Sequence, residues 1–353
     1  MNAPEIPRLT SLSHGGGCGC KLAPGVLEQI IAKSGPTLLP PALLVGIETA
    51  DDAAVYQIND RQAIVATTDF FMPIVDDPYD FGAIAATNAI SDVYAMGGTP
   101  LFALALVGMP VDRLPVDTIR RILEGGEAVC AKAGIAIAGG HTIDSVEPIY
   151  GLVAIGLVDP AHLKRNAGAR PGDALVLGKP LGIGIYSAAL KKGRLSPEGY
   201  AAMIASTTQL NTPGVALGRM PEVHALTDVT GFGLLGHLLE ICRGSDVGAT
   251  VDLSRVPVHP GVTALAQEGL FTGASGRNWA GYGGDVALAP GLGDAERALL
   301  TDPQTSGGLL AACAPDAVAA VLAVFRDEGF AQATVIGEVT AGAPRVTVTR
   351  AGR

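Results

Sequence analysis

Aromatic and charged residues are both scarce in this chain. They make up only 5% and 16% of its 353 residues, whereas 48% are hydrophobic. This composition excludes a disordered protein, because there is ample apolar material for a buried core. Basic residues are also outnumbered, with 24 Lys and Arg against 34 Asp and Glu and a net charge of −10. No nucleic-acid partner is expected, because phosphate backbones are bound by basic surfaces.

Long hydrophobic runs are absent as well. The longest, Leu101–Met109 and Leu152–Val158, are too short to span a bilayer and are typical of buried strands. Met1–Ser13 is polar and contains proline, unlike a secretory signal. The five cysteines are an odd number, and two of them share one short segment, which argues against a disulfide framework. We therefore expect a cytoplasmic protein with no membrane partner.

Strands and helices alternate along most of the sequence, which predicts an α/β or α+β fold, and the length favours about two domains. Strands are predicted at Ala53–Ile58 and Ala63–Thr68, and a helix from an Asp80 N-cap to about Ala95. Another helix is predicted from Pro24 to Gly35. The polar stretch Asp159–Asp173 is typical of a domain boundary. We predict a flexible Gly/Cys-rich arm over 1–22, an N-terminal domain over 23–160 and a C-terminal domain over 161–353.

The densest chemical signal is His14-Gly-Gly-Gly-Cys18-Gly-Cys20-Lys21. Glycines on both sides of Cys18 predict an accessible thiol, and Lys21 is expected to lower its pKa and to attract phosphate. The segment is not a P-loop, since Lys21 follows cysteine and precedes leucine. A glycine arm with an incidental lysine is an equally weighted alternative. A zinc site of His14, Cys18 and Cys20 lacks a fourth ligand.

Several aspartates stand in apolar or small-residue surroundings. Asp51 and Asp52 lead into a predicted strand, and Asp69 ends the next one. Asp92 lies on a helix that is apolar nearly all round, one turn after Asn88. A buried, unpaired carboxylate is costly, so Asp92 should meet a cation, hydrogen-bond donors or a metal.

Three glycine-containing motifs complete the set. Residues 231–236, after Asp228, match the dinucleotide-binding pattern G-x-G-x-x-G, but weakly, because no ribose-binding acid is evident. Gly139-Gly140-His141-Thr142 follows a short strand and is predicted to offer backbone N–H groups to an anion. Thr301–Gly308 is interpreted as a turn, structural or functional. Converging aspartates, glycine-rich loops and an isolated lysine suit a nucleoside triphosphate held through Mg²⁺.

Taken together and in order, these segments resemble the selenophosphate synthetase family, within the aminoimidazole ribonucleotide synthetase-like ATP-binding superfamily. The resemblance covers essentially the whole chain. It is carried by the segments Leu9–Lys21, Val45–Tyr56, Thr67–Gly98, Ala138–Thr142, Lys179–Gly184, Thr227–His237 and Asp302–Gly308. It implies a two-domain α/β fold and a homodimer whose N-terminal halves frame the ATP sites. The implied reaction converts ATP, hydrogen selenide and water to selenophosphate, AMP and orthophosphate, which supplies selenium for selenocysteine and selenouridine.

The resemblance also implies roles for individual residues. Cys18 matches an essential cysteine or selenocysteine, and Lys21 a lysine that contacts the phosphates. The metal-binding positions correspond to Asp52, Asp92 and Asp228. The ATP contacts correspond to Lys21, Thr49, Ala50, Asp51, Asp69, Asp92, Gly140, His141 and Thr142. Mg²⁺ is the implied cofactor; a monovalent cation such as K⁺ and a selenium-delivery protein are further candidates.

Two departures from the family pattern are small. Leu12 replaces a common aromatic residue, and Thr142, which keeps a hydroxyl, replaces a common serine. A purine-biosynthetic or thiamine-phosphate kinase-like enzyme is the main alternative, but it has no use for Gly17–Lys21. A non-catalytic selenium or metal carrier built on His14, Cys18 and Cys20 is another, and it has no use for the aspartates.

Overall fold

A computed structural model describes residues 7–22, 26, 30, 40–46 and 51–350. The first half of the chain builds a six-stranded sheet with strand order β1-β2-β3-β6-β4-β5. All neighbours are antiparallel except β4 and β5, so β5 is a parallel edge strand. The strands are β1 (Leu43–Val45), β2 (Ala54–Asn59), β3 (Gln62–Phe71), β4 (Thr99–Met109), β5 (Ala136–Asp144) and β6 (Ile149–Val158).

Helix α1 (Pro78–Ala95) lies on one face of this sheet, and α2 (Val116–Lys132) packs against it. The α1 helix begins with proline in its first turn, and the Asp77 side chain accepts a hydrogen bond from the Asp80 N–H. Asp77, not Asp80, is therefore the N-cap. The two helices approach closely at glycine: a Cβ at Gly82 would lie 1.8 Å from the Ile122 carbonyl oxygen. Every residue from Phe81 to Ala95 is buried as a result.

The second half builds a seven-stranded mixed sheet with strand order β10-β13-β9-β12-β7-β11-β8. Its strands are β7 (Ala174–Leu177), β8 (Val223–Asp228), β9 (Gly248–Asp252), β10 (Val286–Leu288), β11 (Leu309–Cys313), β12 (Thr334–Thr340) and β13 (Val346–Thr349). Its helices are α3 (Ile183–Lys191), α4 (Pro197–Thr207), α5 (Pro213–Gly218), α6 (Gly233–Ser245), α7 (Val262–Gln267), α8 (Gly273–Tyr282), α9 (Asp294–Leu300) and α10 (Val318–Asp327). The mixed α/β architecture confirms the predicted class.

The segment 7–22 lies against the rest of the molecule in two short 3₁₀ turns, Leu9–Leu12 and Gly17–Cys20. The Gly17 N–H donates to the Met72 carbonyl at 2.9 Å. Gly17 has a φ of 53°, and a Cβ there would lie 2.4 Å from the Thr305 hydroxyl oxygen. A larger residue is thus excluded both by backbone conformation and by space.

One predicted strand is longer in the structure than expected, and one predicted helix lies mostly outside the described residues. The strand predicted to end at Ala138 continues to Asp144, so Gly139–Thr142 is part of β5 and not a loop. The helix predicted from Pro24 to Gly35 falls mostly outside the described residues. No helix in the described ranges is both long enough and apolar enough to cross a membrane.

Candidate active site

The loop Asp302–Gly307 connects α9 to β11 and is almost fully buried. The Asp302 carboxylate accepts hydrogen bonds from the N–H groups of Gly184 and Ile185 at 2.9 and 3.2 Å, at the start of α3. Gln304 accepts from Gly182 and Ile183 in the same way. Burial raises the pKa of Asp302 to about 7, although the hydrogen bonds that its carboxylate accepts lower it. The loop is thereby fixed to the second half of the chain.

Lys179 holds the tip of this loop. Its fully buried ammonium donates to the carbonyl oxygens of Ser306, Gln209 and Ser206 at 2.8, 2.7 and 3.2 Å. Burial lowers the pKa of Lys179 to about 7. Ser306 itself has a φ of 50°, an uncommon conformation for a residue with a side chain. These contacts stabilise a conformation that aims the Ser306 N–H at Asn88 of α1.

Cys18 is seated on this loop. Its backbone N–H donates to the Thr305 hydroxyl at 3.0 Å, and its thiol donates to Asn88 Oδ1 at 3.1 Å. The same Asn88 oxygen accepts the Ser306 N–H at 2.7 Å. Behind the cysteine, a Cβ at Gly231 would lie 2.9 Å from the Cys18 carbonyl oxygen. Glycine at 231 therefore leaves room for the cysteine segment.

The environment of Cys18 differs from the expected one. The residue is 1% exposed, so the prediction of an accessible thiol is wrong for this conformation. Burial and the Asp69 carboxylate raise the pKa of Cys18 well above its usual value, although Lys21 opposes them. Lys21 does lower the thiol pKa, as predicted, but burial and Asp69 outweigh it, so the predicted reactive thiolate is not favoured in this conformation. Cys18 is a neutral hydrogen-bond donor here, and it becomes available as a nucleophile only when the segment moves or the charges around it change.

Lys21 contacts the same group of residues. Its ammonium lies 3.2 Å from Asp69 Oδ2, which also accepts the Asn88 amide N–H at 2.6 Å. Desolvation lowers the pKa of Lys21, but the Asp69 carboxylate, together with Cys18 and Asp92, outweighs it and raises the pKa well above the usual value. The side chain remains 40% exposed. Lys21 is thus a permanent cation at the mouth of the site.

Three further carboxylates, Asp52, Asp92 and Asp228, lie beside this group, each hydrogen-bonded to a hydroxyl. Thr227 donates to Asp52 at 2.9 Å, Thr67 donates to Asp92 at 2.5 Å, and Ser91 donates to Asp228. Burial raises the pKa of all three, and the charge of Asp228 raises it further for Asp52 and Asp92. The sequence-predicted metal positions are thus neighbouring, mutually repelling anions.

A cation fits this arrangement. Asp52 Oδ2 is buried without a hydrogen-bond partner. In the described part of the chain, no three His, Cys, Asp or Glu side chains form a complete metal site on their own. An ion bound here would take its other ligands from phosphate and water, as Mg²⁺ does. The zinc alternative is not supported, because His14 pairs with Glu147 at 2.9 Å while the Cys18 thiol points to Asn88.

The other predicted ATP contacts are more scattered. Gly140, His141 and Thr142 lie on the exposed edge strand β5. Asp51 accepts a hydrogen bond from the Asn166 N–H at 2.6 Å. Thr49 and Ala50 lie outside the described residues. Within one chain, the structure therefore brings together Cys18, Lys21 and the aspartates at 52, 69, 92 and 228, but leaves β5 at the sheet edge.

Several polar residues of the site were not predicted as site residues. The unpredicted ones are Asn88, Ser91, Thr67, Thr227, Thr305, Ser306 and Asn211, whose amide donates to the Ser91 hydroxyl at 2.7 Å. Most are small, neutral residues whose role depends on long-range contacts. The usable signal was a polar side chain on an otherwise apolar helix, which Asn88 and Ser91 share with Asp92.

Models of the AIR synthase related protein family match nearly all of the described chain. The N-terminal domain model matches residues 50–158, and the C-terminal domain model matches residues 170–349. Solved structures show the same fold. A thiamine-monophosphate kinase from Stenotrophomonas maltophilia superimposes with a TM-score of 0.63 at 24% identity, covering 94% of this chain and 98% of its own. The hydrogenase maturation protein HypE in complex with ATP superimposes with a TM-score of 0.65 at 21% identity, covering 88% and 87%.

The fold and the site thus define an AIR synthase related protein, not a dinucleotide-binding one. In agreement, β8, which precedes residues 231–236, is an edge strand paired antiparallel to β11. Among curated proteins, the selenide, water dikinase of Pseudomonas straminea is 68% identical over 349 residues, 99% of this chain and 98% of that protein. The selenide, water dikinase of Burkholderia pseudomallei is 68% identical over 343 residues, 97% of both chains. The chain belongs to the selenide, water dikinase (selenophosphate synthetase) family, and it is a kinase-type enzyme.

Proposed function

We propose that this protein converts ATP, hydrogen selenide and water to selenophosphate, AMP and orthophosphate in the cytoplasm. The observation that carries the proposal is the position of the Cys18 and Lys21 side chains, joined through Asn88 and Asp69 at hydrogen-bond distances. A general ATP-dependent kinase of this fold needs aspartates but not a thiol. The 68% identity to named selenide, water dikinases supports the same substrates.

Lys21 is proposed to bind the transferring phosphoryl group. Its ammonium is permanently charged, and 40% of the side chain is exposed. The Asp69 carboxylate accepts a hydrogen bond from the Lys21 ammonium at 3.2 Å and so orients it. In phosphoryl transfer, a fixed cation stabilises charge on the phosphoryl oxygens more in the transition state than in the ground state.

Asp52, Asp92 and Asp228 are proposed to hold Mg²⁺, which neutralises the triphosphate when bound. Their hydroxyl partners, Thr227, Thr67 and Ser91, fix the carboxylates in orientation. Thr49, Ala50 and Asp51, just before Asp52, are proposed to contact ATP alongside Asp69. A monovalent cation such as K⁺ remains a candidate for the same anionic region.

Cys18 is proposed to handle selenium and not to accept the phosphoryl group. Selenide is already an anion near neutral pH and needs little activation as a nucleophile. A buried thiol with a raised pKa, hydrogen-bonded to Asn88, is poorly suited to attack phosphorus in the seated conformation. When the segment opens, the Cys18 thiolate can attack the outer selenium of a perselenide (R–S–SeH) on a small molecule or a delivery protein. An S–Se bond then forms on Cys18 as the donor's S–Se bond breaks and its thiol leaves.

The products of the reaction test the assignment directly. With ATP, selenide and Mg²⁺ under anaerobic conditions, ³¹P NMR is expected to show selenophosphate, orthophosphate and AMP in equal amounts. Without selenide, no selenophosphate signal is expected. ADP as the sole nucleotide product, with no selenophosphate, would instead indicate an ordinary kinase of this superfamily.

We also propose that the chain forms a homodimer through the first sheet, with 23–160 as the dimerising domain and 161–353 as the second. The sheet face opposite α1 carries apolar side chains in adjacent register: Ile64 pairs with Tyr56 and Leu157, Ile155 with Phe102, and Val153 with Leu104. Phe70, Tyr56 and Phe102 are 50%, 46% and 37% exposed. A second copy would cover this face and bring Gly140, His141 and Thr142 of its β5 towards the site.

A charge on this face should dissociate the dimer. Phe102→Glu is expected to give a monomer in sedimentation equilibrium and to weaken ATP binding, because burying an unpaired carboxylate at an interface costs several kcal/mol. Val116→Glu, on the exposed start of α2, is the matched control and should remain dimeric. A dimeric Phe102→Glu protein would exclude this face as the interface.

A further inference from the structure

A cavity lies beside the cysteine segment, and none of the aspartates of the site lines it. It has a volume of about 340 Å³ and is enclosed by the glycines around Cys18, the end of α3 and the start of α8. Its lining includes His14, Lys191, Lys192 and Arg277, and, in the described part of the chain, no aspartate or glutamate. Two lysines and an arginine around one cavity, with no carboxylate in the described lining, are unexpected in a protein with a net charge of −10.

The two lysines and the arginine form no salt bridge in the described ranges. Lys191 donates to the Ser13 carbonyl at 3.3 Å, and Arg277 donates to the Gly19 carbonyl at 3.0 Å. Both acceptors are neutral backbone oxygens. The Glu147 carboxylate also interacts electrostatically with Lys191, whereas Arg277 forms no salt bridge within the described ranges. Lys192 has no ion pair in the described structure. His14 pairs with Glu147 at 2.9 Å.

The N-terminus of α8 adds a further partial positive charge to this cavity. Its Thr272 N-cap hydroxyl accepts the Ser275 N–H, which leaves the N–H groups of Gly273 and Ala274 without helical partners. Gly273 has no side chain to cover them. An ideal Cβ at that position would lie 3.5 Å from an Arg277 guanidinium nitrogen, so the guanidinium stands beside the helix end. Free N–H groups next to Arg and Lys match the donors that oxyanions bind.

We propose that this pocket binds a phosphate-class oxyanion and that the bound anion stabilises the seated conformation of the cysteine segment. Lys191 and Arg277 each have donors to spare beyond the one given to the segment, so they can bind an anion and the segment together. An anion that orders these two side chains must favour the contacts to Ser13 and Gly19, and the coupling is reciprocal. The proposal rests on the proposed function, whose products include two such anions, orthophosphate and selenophosphate.

The consequence is a form of product control. With the anion bound, Cys18 remains buried against Asn88, and the segment opens less often to receive selenium. When the anion leaves, the two cations hold the segment by two hydrogen bonds to neutral oxygens, which are individually weak. Release of product from this pocket therefore permits the segment to open and to expose the Cys18 thiol again.

The test uses the full chain with EDTA and without nucleotide, so that the metal site cannot bind the anion. Orthophosphate is titrated at constant ionic strength with chloride, and alkylation of Cys18 by iodoacetamide is followed by mass spectrometry. Orthophosphate is expected to slow alkylation of Cys18 severalfold and saturably. In the double variant Lys192→Gln/Arg277→Gln, the apparent affinity should fall at least tenfold. Lys132→Gln, an exposed lysine on α2, is the matched control and should behave as wild type.

The arms of the experiment separate the possible outcomes. Thiophosphate stands in for selenophosphate, and the tighter of the two anions identifies the product that the pocket retains. Equal protection in wild type and in the double variant, acceleration of alkylation, or the absence of saturable protection would each overturn the proposal. None of these measurements requires turnover, so they are independent of whether selenophosphate is formed.

Discussion

Cys18→Ser is expected to lower selenophosphate formation by about a thousandfold or more while ATP binding is retained. Serine is similar to cysteine in size, and its hydroxyl can donate a hydrogen bond to Asn88 Oδ1. In the wild-type protein this oxygen accepts a hydrogen bond from the Cys18 thiol at 3.1 Å. The fold and the nucleotide site should therefore persist. What is lost is sulfur, because a hydroxyl has far lower affinity for selenium and is a far weaker nucleophile than a thiolate. Selenophosphate is measured by ³¹P NMR and ATP binding by calorimetry.

Two neighbouring variants make this result specific. Cys20→Ser is the matched control. Cys20 is only partly buried, and serine can keep the hydrogen bond that its side chain makes with the Met72 backbone, so this variant should keep substantial activity. Lys21→Ala should be inactive as well, but with weakened ATP binding, because phosphate neutralisation is lost. Equal loss in both cysteine variants would indicate a paired role for the two thiols. Full activity in Cys18→Ser would remove the chemical role altogether.

The second large effect concerns the repelling carboxylates. Because the folded pKa values of Asp52, Asp92 and Asp228 are raised above the unfolded value of about 3.9, the folded state binds more protons than the unfolded state between these values. The contribution of these three carboxyl groups to the free energy of unfolding is therefore greatest below about pH 4. This contribution is lost as the pH rises through their folded pKa values. In EDTA, the melting temperature should therefore fall as the pH is raised above about 4. Adding Mg²⁺ and ATP should raise the melting temperature again.

Asp92→Asn should reduce this pH dependence. Removing one of the charges is expected to stabilise the metal-free protein at neutral pH by about 1 kcal/mol, or roughly 1–2 °C in melting temperature for a chain of this length. The same change should weaken Mg²⁺-dependent ATP binding at least about tenfold. Asp60→Asn, in the exposed β2–β3 turn, is the matched control and should change neither property. Wild-type ATP affinity in Asp92→Asn would remove Asp92 from the proposed metal site.

The sequence predicted most elements of the fold, because apolar periodicity and turn residues are local signals. The strands at β2 and β3 and the helix α1 were found to within a few residues. The residues of the site were harder to predict. Asn88 reaches the cysteine across 70 positions of sequence, and Thr305 across 287. No local pattern encodes such contacts.

The predictions about the cysteine failed for the same reason. Flanking glycines and a nearby lysine indicate an accessible, acidic thiol when only neighbours in sequence are considered. In the folded protein, burial and the Asp69 charge raise the thiol pKa by more than Lys21 lowers it. The thiol donates a hydrogen bond to Asn88, and the backbone N–H of Cys18 donates to Thr305. The chemistry of Cys18 is therefore set by tertiary contacts, whereas its position in a glycine-rich segment is set by sequence.

The buried loop Asp302–Gly307 has a consequence for how the molecule unfolds. The loop donates a hydrogen bond to Asn88 of α1 and accepts one from the backbone N–H of Cys18. It also accepts hydrogen bonds from the first turn of α3 and from the Lys179 ammonium. Both sheets and the cysteine segment thus share one set of buried hydrogen bonds, and breaking the loop from any one of them would leave buried polar groups unpaired. We therefore expect the two halves to unfold in one cooperative transition. Truncation within residues 159–173 is expected to leave both halves with incomplete cores, since residues of both halves belong to one core cluster.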